Sequence, residues 1–185
     1  MKVYVKLALC FAMCCVFLHN MSMAVESAPA DPYREVQWAE LVPESWNPEK
    51  AFEGLDLDDL PEDDYNPRVE KAYEAFMAEW AKAPANEKIN GQRIKIAGFI
   101  APLDWENDAE LREFLLVPYF GACIHLPPPP ANQIIHVKMK KPLKGLRSMD
   151  AAWVYGTISV EKHDSGSMGA SGYSMAPDKA EPYQW

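Results

Sequence analysis

The chain is poor in cysteine, and most of its cysteines lie in one short stretch. Of four cysteines, Cys10, Cys14 and Cys15 lie close to the N-terminus and only Cys123 lies far from it. If the N-terminal stretch is removed on export, one thiol remains, and a single thiol cannot form an internal disulfide. Cys123 must then be buried, bound to a ligand or reactive.

The sequence also lacks the short motifs that mark several common enzyme classes. It contains no GxxxxGK or GxGxxG phosphate-binding loop, no HExxH helix and no GxSxG nucleophile turn. It shows no internal repeat. These absences remove support for nucleotide-dependent enzymes, zincin proteases and serine hydrolases.

The N-terminal apolar run is too short to cross a bilayer. Residues 7–18 are apolar and follow Lys2 and Lys6, whereas a spanning helix needs about 20 apolar residues. Ser22 and Ala24 supply the small residues that signal peptidase requires. We predict a signal peptide over 1–24, removed after Ala24, and a periplasmic mature protein without a stable membrane anchor. Lipidation and an uncleaved anchor are the alternatives.

The mature chain contains fewer basic than acidic residues. Residues 25–185 contain 16 basic and 27 acidic residues, a net charge of −11, which argues against nucleic acid and anionic lipid as partners. Much of the acid lies in 53–64. A calcium loop would need Gly at its sixth position and Glu at its twelfth, but counting from Asp56 these are Pro61 and Pro67. We therefore interpret the run as a solvated linker.

The mature chain divides into an arm, a helix and a β-rich domain. Residues 25–66 form an acidic, proline-rich arm, part of which is predicted to dock on the domain through Val36, Trp38 and Leu41. An amphipathic helix is predicted over 67–84, with Asn66 as its N-cap and an apolar stripe on one face.

Residues 88–185 are predicted to form a small β domain. Four short β-rich runs begin at residues 92, 113, 132 and 151, and a fifth strand is predicted around Tyr173; proline, glycine and aspartate signals separate them. Gly98 and Gly156 lie inside strands, where they permit tight bends. The predicted fold class is mainly β (α+β), a small antiparallel OB-like barrel carrying the helix and the arm. A β-sandwich is the alternative.

The stretch YFGACIHLPPPPANQ places the remaining thiol two residues before a histidine. On a strand, Cys123 and His125 would point to the same face. The following prolines favour a stiff polyproline II segment; they are Pro127, Pro128, Pro129 and Pro130. The pair is suited to bind zinc or copper, to act as a Cys–His nucleophile, or to fill the core with a structural cysteine.

A metal site needs further ligands. His136 faces away from its apolar neighbours and is able to approach the pair if the two strands are adjacent; an exposed histidine is the alternative. His163 is predicted in a solvated loop. Met168 and Met175 offer thioethers to copper, but methionines in such a tail more often serve in packing.

The stretch GFIAPLDWENDAELREFLLVPYFGACIHLPPPPANQIIHVKM resembles the signature of domain-of-unknown-function family 3299. The resemblance of the chain to this family extends from about Trp38 to Tyr183. The resemblance implies a small exported protein of Gram-negative bacteria, often encoded near ABC-transporter components, some of them linked to zinc handling. No reaction is established for the family. The matching positions are Tyr119, Gly121, Cys123, His125, Pro127 to Pro130, Asn132 and Gln133.

These observations together predict a non-enzymatic, metal-binding accessory protein of an envelope ABC transport system or another envelope protein. Zinc or copper is the expected metal, with Cys123, His125 and His136 as ligands. Asn132 and Gln133 would orient those ligands. The alternative is a protein-interaction module in which Cys123 is buried and the prolines form a strut that docks a partner.

Overall fold

The structure is a computed structural model that describes residues 31–49, 53, 66–103, 111–122 and 128–184. Asp31 belongs to a first unit and the chain from Pro32 onward to a second, which contains the described strands and α-helix. The predicted signal peptide and almost all of the acidic run 53–64 lie outside the described residues. Within the described ranges, no helix has both the length and the apolar character needed to span a bilayer.

Six strands form one sheet whose hydrogen bonds close into a ring. They are β1 (Arg34–Glu35), β2 (Arg93–Pro102), β3 (Glu113–Val117), β4 (Ile135–Lys138), β5 (Ala151–Asp164) and β6 (Ala170–Pro182). Their order in the sheet is β1-β2-β3-β4-β6-β5. Because β5 also pairs with β2, the five strands β2, β3, β4, β6 and β5 form a ring in that order. The prediction of a mainly β chain with one α-helix is confirmed, and all five predicted strands are present.

The sheet is mixed, so the prediction of an antiparallel sheet is wrong for two of its pairs. β1 runs parallel to β2, with Arg34 opposite Ile94, and β4 runs parallel to β6, with Ile135 opposite Tyr173. Two parallel strands must be joined by a crossover connection, and for β4 and β6 this connection contains the whole of β5. The local alternation of apolar and polar residues carries no signal for such a pairing. The described strands all join this one sheet, whereas a β-sandwich would have two.

Alternate residues of the strands pack into the main hydrophobic core. On β2, Ile94, Ile96 and Ile100 are fully buried, as the period of two requires. The same core contains Phe114, Leu116, Ile135, Val137, Val154, Ile158, Tyr173 and Met175. The intervening residues of β3, Leu115 and Val117, join a smaller cluster instead, together with Ala101, Ala122 and Ile134.

The N-terminal arm docks on this core, as the sequence predicted. Val36 and Leu41 are buried in it, and Trp38 donates a hydrogen bond of 2.7 Å from Nε1 to the carbonyl of Ala97. Gly98 makes room for the indole, because a Cβ there would lie 2.9 Å from Trp38 Cζ2 and 2.8 Å from the carbonyl oxygen of Val117. Gly98 is thus required for close packing of the arm.

The single described α-helix, α1 (Pro67–Trp80), begins as predicted but is shorter. The Asn66 side chain caps it by accepting a hydrogen bond of 3.0 Å from the Arg68 backbone N–H, and the helix ends at Trp80 rather than at residue 84. Its buried residue is Phe76, whereas Tyr73 is 39% exposed, so only part of the predicted stripe is core. Trp80 fixes the helix by donating from Nε1 to the carbonyl of Pro128 at 2.9 Å.

Candidate metal centre

One glutamate and two histidines from three strands meet at one position, and we call them the carboxylate–imidazole cluster. Glu113 is the first residue of β3, His136 lies in β4, and His163 lies one residue before the end of β5. The potential ligand atoms of the three side chains all lie within 4.8 Å of one another. This is the one group of metal-ligating side chains of this kind found among the described residues.

Glu113 and His136 meet because β3 and β4 are antiparallel neighbours. The register places His136 opposite Leu115 and Lys138 opposite Glu113, so that Glu113 and His136 are diagonal neighbours. His136 Nε2 and Glu113 Oε1 are joined by a hydrogen bond of 2.8 Å. The other carboxylate oxygen, Oε2, lies 3.2 Å from Lys138 Nζ. The carboxylate therefore lies between an imidazole and an ammonium group.

His163 reaches the cluster across β6, the strand between β4 and β5. His136 is opposite Ser174, and His163 is opposite Ser171. Of the two residues between these positions, Gly172 has no side chain and Tyr173 is buried in the core. The two imidazole rings stack with their centroids 3.8 Å apart and their planes 6° from parallel.

A β-bulge next to His163 sets the direction of its side chain. From Val160 to His163 the chain advances three residues along β5, while β6 advances two, from Tyr173 to Ser171. One extra residue on β5 breaks the regular alternation and redirects the side chains that follow. The bulge therefore determines where the His163 ring lies.

Burial and charge tune the carboxylate of Glu113. Partial burial by itself raises the pKa of Glu113, but the hydrogen bonds from His136 and Lys138 outweigh it and hold the pKa below its usual value. The carboxylate is therefore ionised at neutral pH and available as a metal ligand. His136 is only 8% exposed, whereas the Glu113 side chain is 34% exposed, so the contact is shielded from water on the side of the imidazole and open on the side of the carboxylate.

The structure corrects two expectations for the histidines. His136 is buried, so the alternative of an exposed histidine does not hold. The prediction that His163 lies in a solvated loop is wrong, because β5 extends to Asp164 and the ring is half-buried against His136. Glu113 was not predicted as a ligand; its position at the start of a β-rich run did not show which strand would lie beside it. Met175 lies in the main hydrophobic core and Met168 packs against the smaller cluster, which agrees with the packing role considered for both methionines.

The remaining predicted site residues lie elsewhere or outside the described ranges. Cys123, His125 and Pro127 are not among the described residues, and their role as ligands stays a prediction. Tyr119 is 51% exposed, just before this segment. The other three prolines come directly after the segment: Pro128 and Pro129 are buried, and Pro130 precedes the short 3-10 helix Ala131–Gln133.

Asn132 and Gln133 use their amide groups to hold backbone segments together. Asn132 Nδ2 donates to the carbonyl of Pro84 at 3.2 Å, and Gln133 Nε2 donates to the carbonyl of Trp38 at 2.8 Å. The pair thereby ties the 3-10 helix that precedes β4 to the arm and to the segment after α1. Asn132 is fully buried, and its Oδ1 has no hydrogen-bond partner within the described part of the chain.

The cluster has the donor set of a borderline divalent ion. Two imidazole nitrogens and one carboxylate oxygen are the three protein ligands of several zinc sites, and they also suit cobalt(II), copper(II) and iron(II). For one ion to bind both histidines, their rings must rotate out of the parallel stack, so that the two nitrogen lone pairs converge. The ion would also replace the hydrogen bond between His136 and Glu113.

Comparison with known proteins identifies relatives without an assigned activity. A family model described as "Protein of unknown function (DUF3299)" matches residues 38–182. The chain is similar to the crystal structure of a DUF3299 family protein from Pseudomonas aeruginosa PAO1, with 34% sequence identity and a TM-score of 0.62. The match covers 83% of this chain and 97% of that one. No curated protein matches.

Proposed function

The chain belongs to the DUF3299 family, and we propose from the geometry of the carboxylate–imidazole cluster that it is a metal-binding protein. The observation that carries the proposal is the convergence of Glu113, His136 and His163 within 4.8 Å. The three side chains come from three strands of one closed ring, so only side-chain rotations are needed to turn the imidazole rings toward an ion. Such a site binds an ion without the cost of ordering a loop.

Zinc is the metal that this donor set favours. Imidazole and carboxylate suit a borderline divalent ion, whereas copper(I) prefers thiolate and thioether ligands. The two methionines that the sequence offered to copper, Met168 and Met175, are packed in hydrophobic clusters. We therefore propose zinc(II) in the described cluster, with copper(II) as the competing ion.

Metal titration of the untagged protein tests the proposal. Zinc is expected to bind at one-to-one stoichiometry in calorimetry and to stabilise the native state by about 2.7 kcal/mol at a hundredfold excess over the dissociation constant. Glu113→Gln, His136→Ala and His163→Ala are each expected to remove that stabilisation. The matched control is Glu181→Gln, since Glu181 pairs with Lys179 at 2.7 Å as Glu113 pairs with Lys138. Unchanged zinc binding in all three cluster variants would refute the proposal.

We further propose that the protein works in the periplasm, as an accessory of an ABC transport system that handles the same metal. The N-terminal sequence supports export, and the family resemblance supports the transport context. N-terminal sequencing of the exported protein should begin at Val25. A deletion strain should contain less zinc than its parent when zinc is limited by a chelator, and complementation with the Glu113→Gln variant should not restore the zinc content.

The OB-like barrel is likewise a proposal. It is supported by five strands, β2 to β6, that follow one another around a ring of hydrogen bonds. An experimental structure of this chain would test it, because an OB-like barrel requires the ring to close at the pairing of β2 with β5.

An interaction module is the second candidate, favoured by exposed aromatic side chains. Tyr119 and Phe120 are 51% and 62% exposed, and they immediately precede the Cys-His-proline segment. A photo-reactive amino acid at position 120 is expected to crosslink to one envelope protein in cells. The same group at position 73, another exposed aromatic position, is the control and should give no such product.

A further inference from the structure

A surface cavity of about 400 Å³ adjoins the carboxylate–imidazole cluster. Lys138 connects the two, since it lines the cavity while its Nζ lies 3.2 Å from Glu113 Oε2. Ser174, another lining residue, is the register partner of His136 on β6. Glu161 lines the cavity two residues before His163. The cavity is thus lined, from three strands, by residues that neighbour the cluster, and its volume suits a small molecule.

Beside the apolar side chains of Met139, Met175 and Ala176, the cavity is lined by polar side chains that are mainly hydrogen-bond donors. Lys138 and Lys140 supply ammonium groups, and Ser159 and Ser174 supply hydroxyl groups. Glu161 is the one carboxylate among the described lining residues, so these residues carry a net charge of +1. This positive lining contrasts with a net charge of −9 for the whole chain. Ammonium and hydroxyl donors together recognise an oxyanion.

Metal binding would release Lys138 toward this cavity. Without the ion, the Lys138 ammonium is drawn to the Glu113 carboxylate. A divalent cation on the same carboxylate would neutralise that partner and repel the ammonium at close range. Three protein ligands also leave a coordination position that a non-protein ligand takes.

We propose that the cavity binds a small oxyanion, with a carboxylate or phosphate group, which completes the coordination of the metal and pairs with Lys138. The proposal rests on the metal-binding function proposed above. Metal and oxyanion then bind cooperatively, because each strengthens the site of the other. A protein that carries metal in this way would take it up as a complex with a small anionic ligand.

Cobalt(II), whose visible absorption reports its coordination, allows the two steps to be measured separately. The untagged full-length mature protein is titrated with cobalt alone, and then in the presence of inorganic phosphate or of acetate. At least one of these anions is expected to shift the cobalt bands and to tighten cobalt binding about tenfold. An effect of phosphate alone, of acetate alone or of both identifies the class of oxyanion.

Lys138→Met is expected to lose most of the anion effect, measured as the ratio of its cobalt affinities with and without the anion, so that a change in its affinity for cobalt alone does not enter the comparison. Lys144→Met is the matched control, since Lys144 is an exposed lysine that does not line the cavity. Cobalt binding without any anion effect in the unmodified protein would overturn this inference and leave the metal-binding proposal standing. An anion effect that survives in Lys138→Met would also overturn it, whereas absent cobalt binding would overturn both.

Discussion

The hydroxyl of Tyr173, on the last strand β6, donates a hydrogen bond of 2.5 Å to the carbonyl of Leu41 in the N-terminal arm. The same oxygen accepts a hydrogen bond of 2.5 Å from the backbone N–H of Asn86. The ring of Tyr173 is fully buried in the main core. One side chain of β6 therefore satisfies two backbone groups from two segments that lie outside the ring of strands.

Removing this hydroxyl should destabilise the protein strongly. Tyr173→Phe leaves the Leu41 carbonyl and the Asn86 N–H without their partner, and we expect a loss of about 2 to 4 kcal/mol in urea unfolding. Tyr73→Phe, at an exposed position on α1, is the control and should change stability by less than about 0.5 kcal/mol. Equal stabilities of the two variants would contradict a structural role for the bridge.

The same residue predicts a loss of stability in alkali. Burial is the main cause that raises the pKa of Tyr173 from 10.0 to about 12. Because the folded pKa lies above the unfolded one, the contribution is fully present below pH 10 and is lost as the pH rises toward 12. The two-unit difference corresponds to about 2.7 kcal/mol, of which about half should be lost by pH 11. Unfolding curves between pH 8 and 11 should therefore converge for the unmodified protein and Tyr173→Phe; parallel curves would refute the assignment.

A side chain at position 98 should displace the arm. In Gly98→Ala the new Cβ would lie 2.8 Å from Leu116 Cγ and from the Val117 carbonyl oxygen, and 2.9 Å from Trp38. Since the Val117 oxygen belongs to the backbone, a rotamer change alone cannot relieve the contact, and we expect a loss of about 2 to 3 kcal/mol. Trp38 fluorescence should also change.

Gly145→Ala separates this contact from backbone strain. Gly145 has φ +74° and nothing within 4 Å of an added Cβ, so its substitution costs only about 1 kcal/mol of backbone strain. A Gly98→Ala protein no less stable than Gly145→Ala would show that the arm does not pack as described.

Variants of the cysteine motif decide between two ligand sets that share His136. The sequence predicted His136 together with Cys123 and His125, whereas the described geometry places it with Glu113 and His163. If the ion binds to the described cluster, Cys123→Ser and His125→Ala should each change zinc affinity by less than about threefold, well under 1 kcal/mol. A loss of more than about tenfold, or 1.4 kcal/mol, in either variant would assign the ion to the motif instead. The buried Oδ1 of Asn132, which has no hydrogen-bond partner among the described residues, would then be an acceptor suited to orient one of those ligands.

Local alternation predicted the strands but not how they pair. The period of two at Ile94 and Ile96 identified β2, and the Asn66-Pro67 pair located the start of α1. The parallel pairing of β4 with β6 depends on contacts between distant segments and leaves no local pattern. The bulge before His163 depends on the pairing of β5 with β6, which is equally invisible to local alternation. His136 and His163 meet only through these pairings, and Glu113 meets His136 through the pairing of β3 with β4, so the sequence identified His136 alone.

The bond between Tyr173 and Leu41 joins residues 132 positions apart. Val36 and Leu41 fill the core from one end of the chain, and Tyr173 and Met175 fill it from the other. Contacts of such sequence separation form late, because the intervening chain must first be ordered. During synthesis the N-terminal arm leaves the ribosome first, but the core on which it packs is incomplete until β6 has been made. Folding can therefore finish only when nearly the whole chain is available.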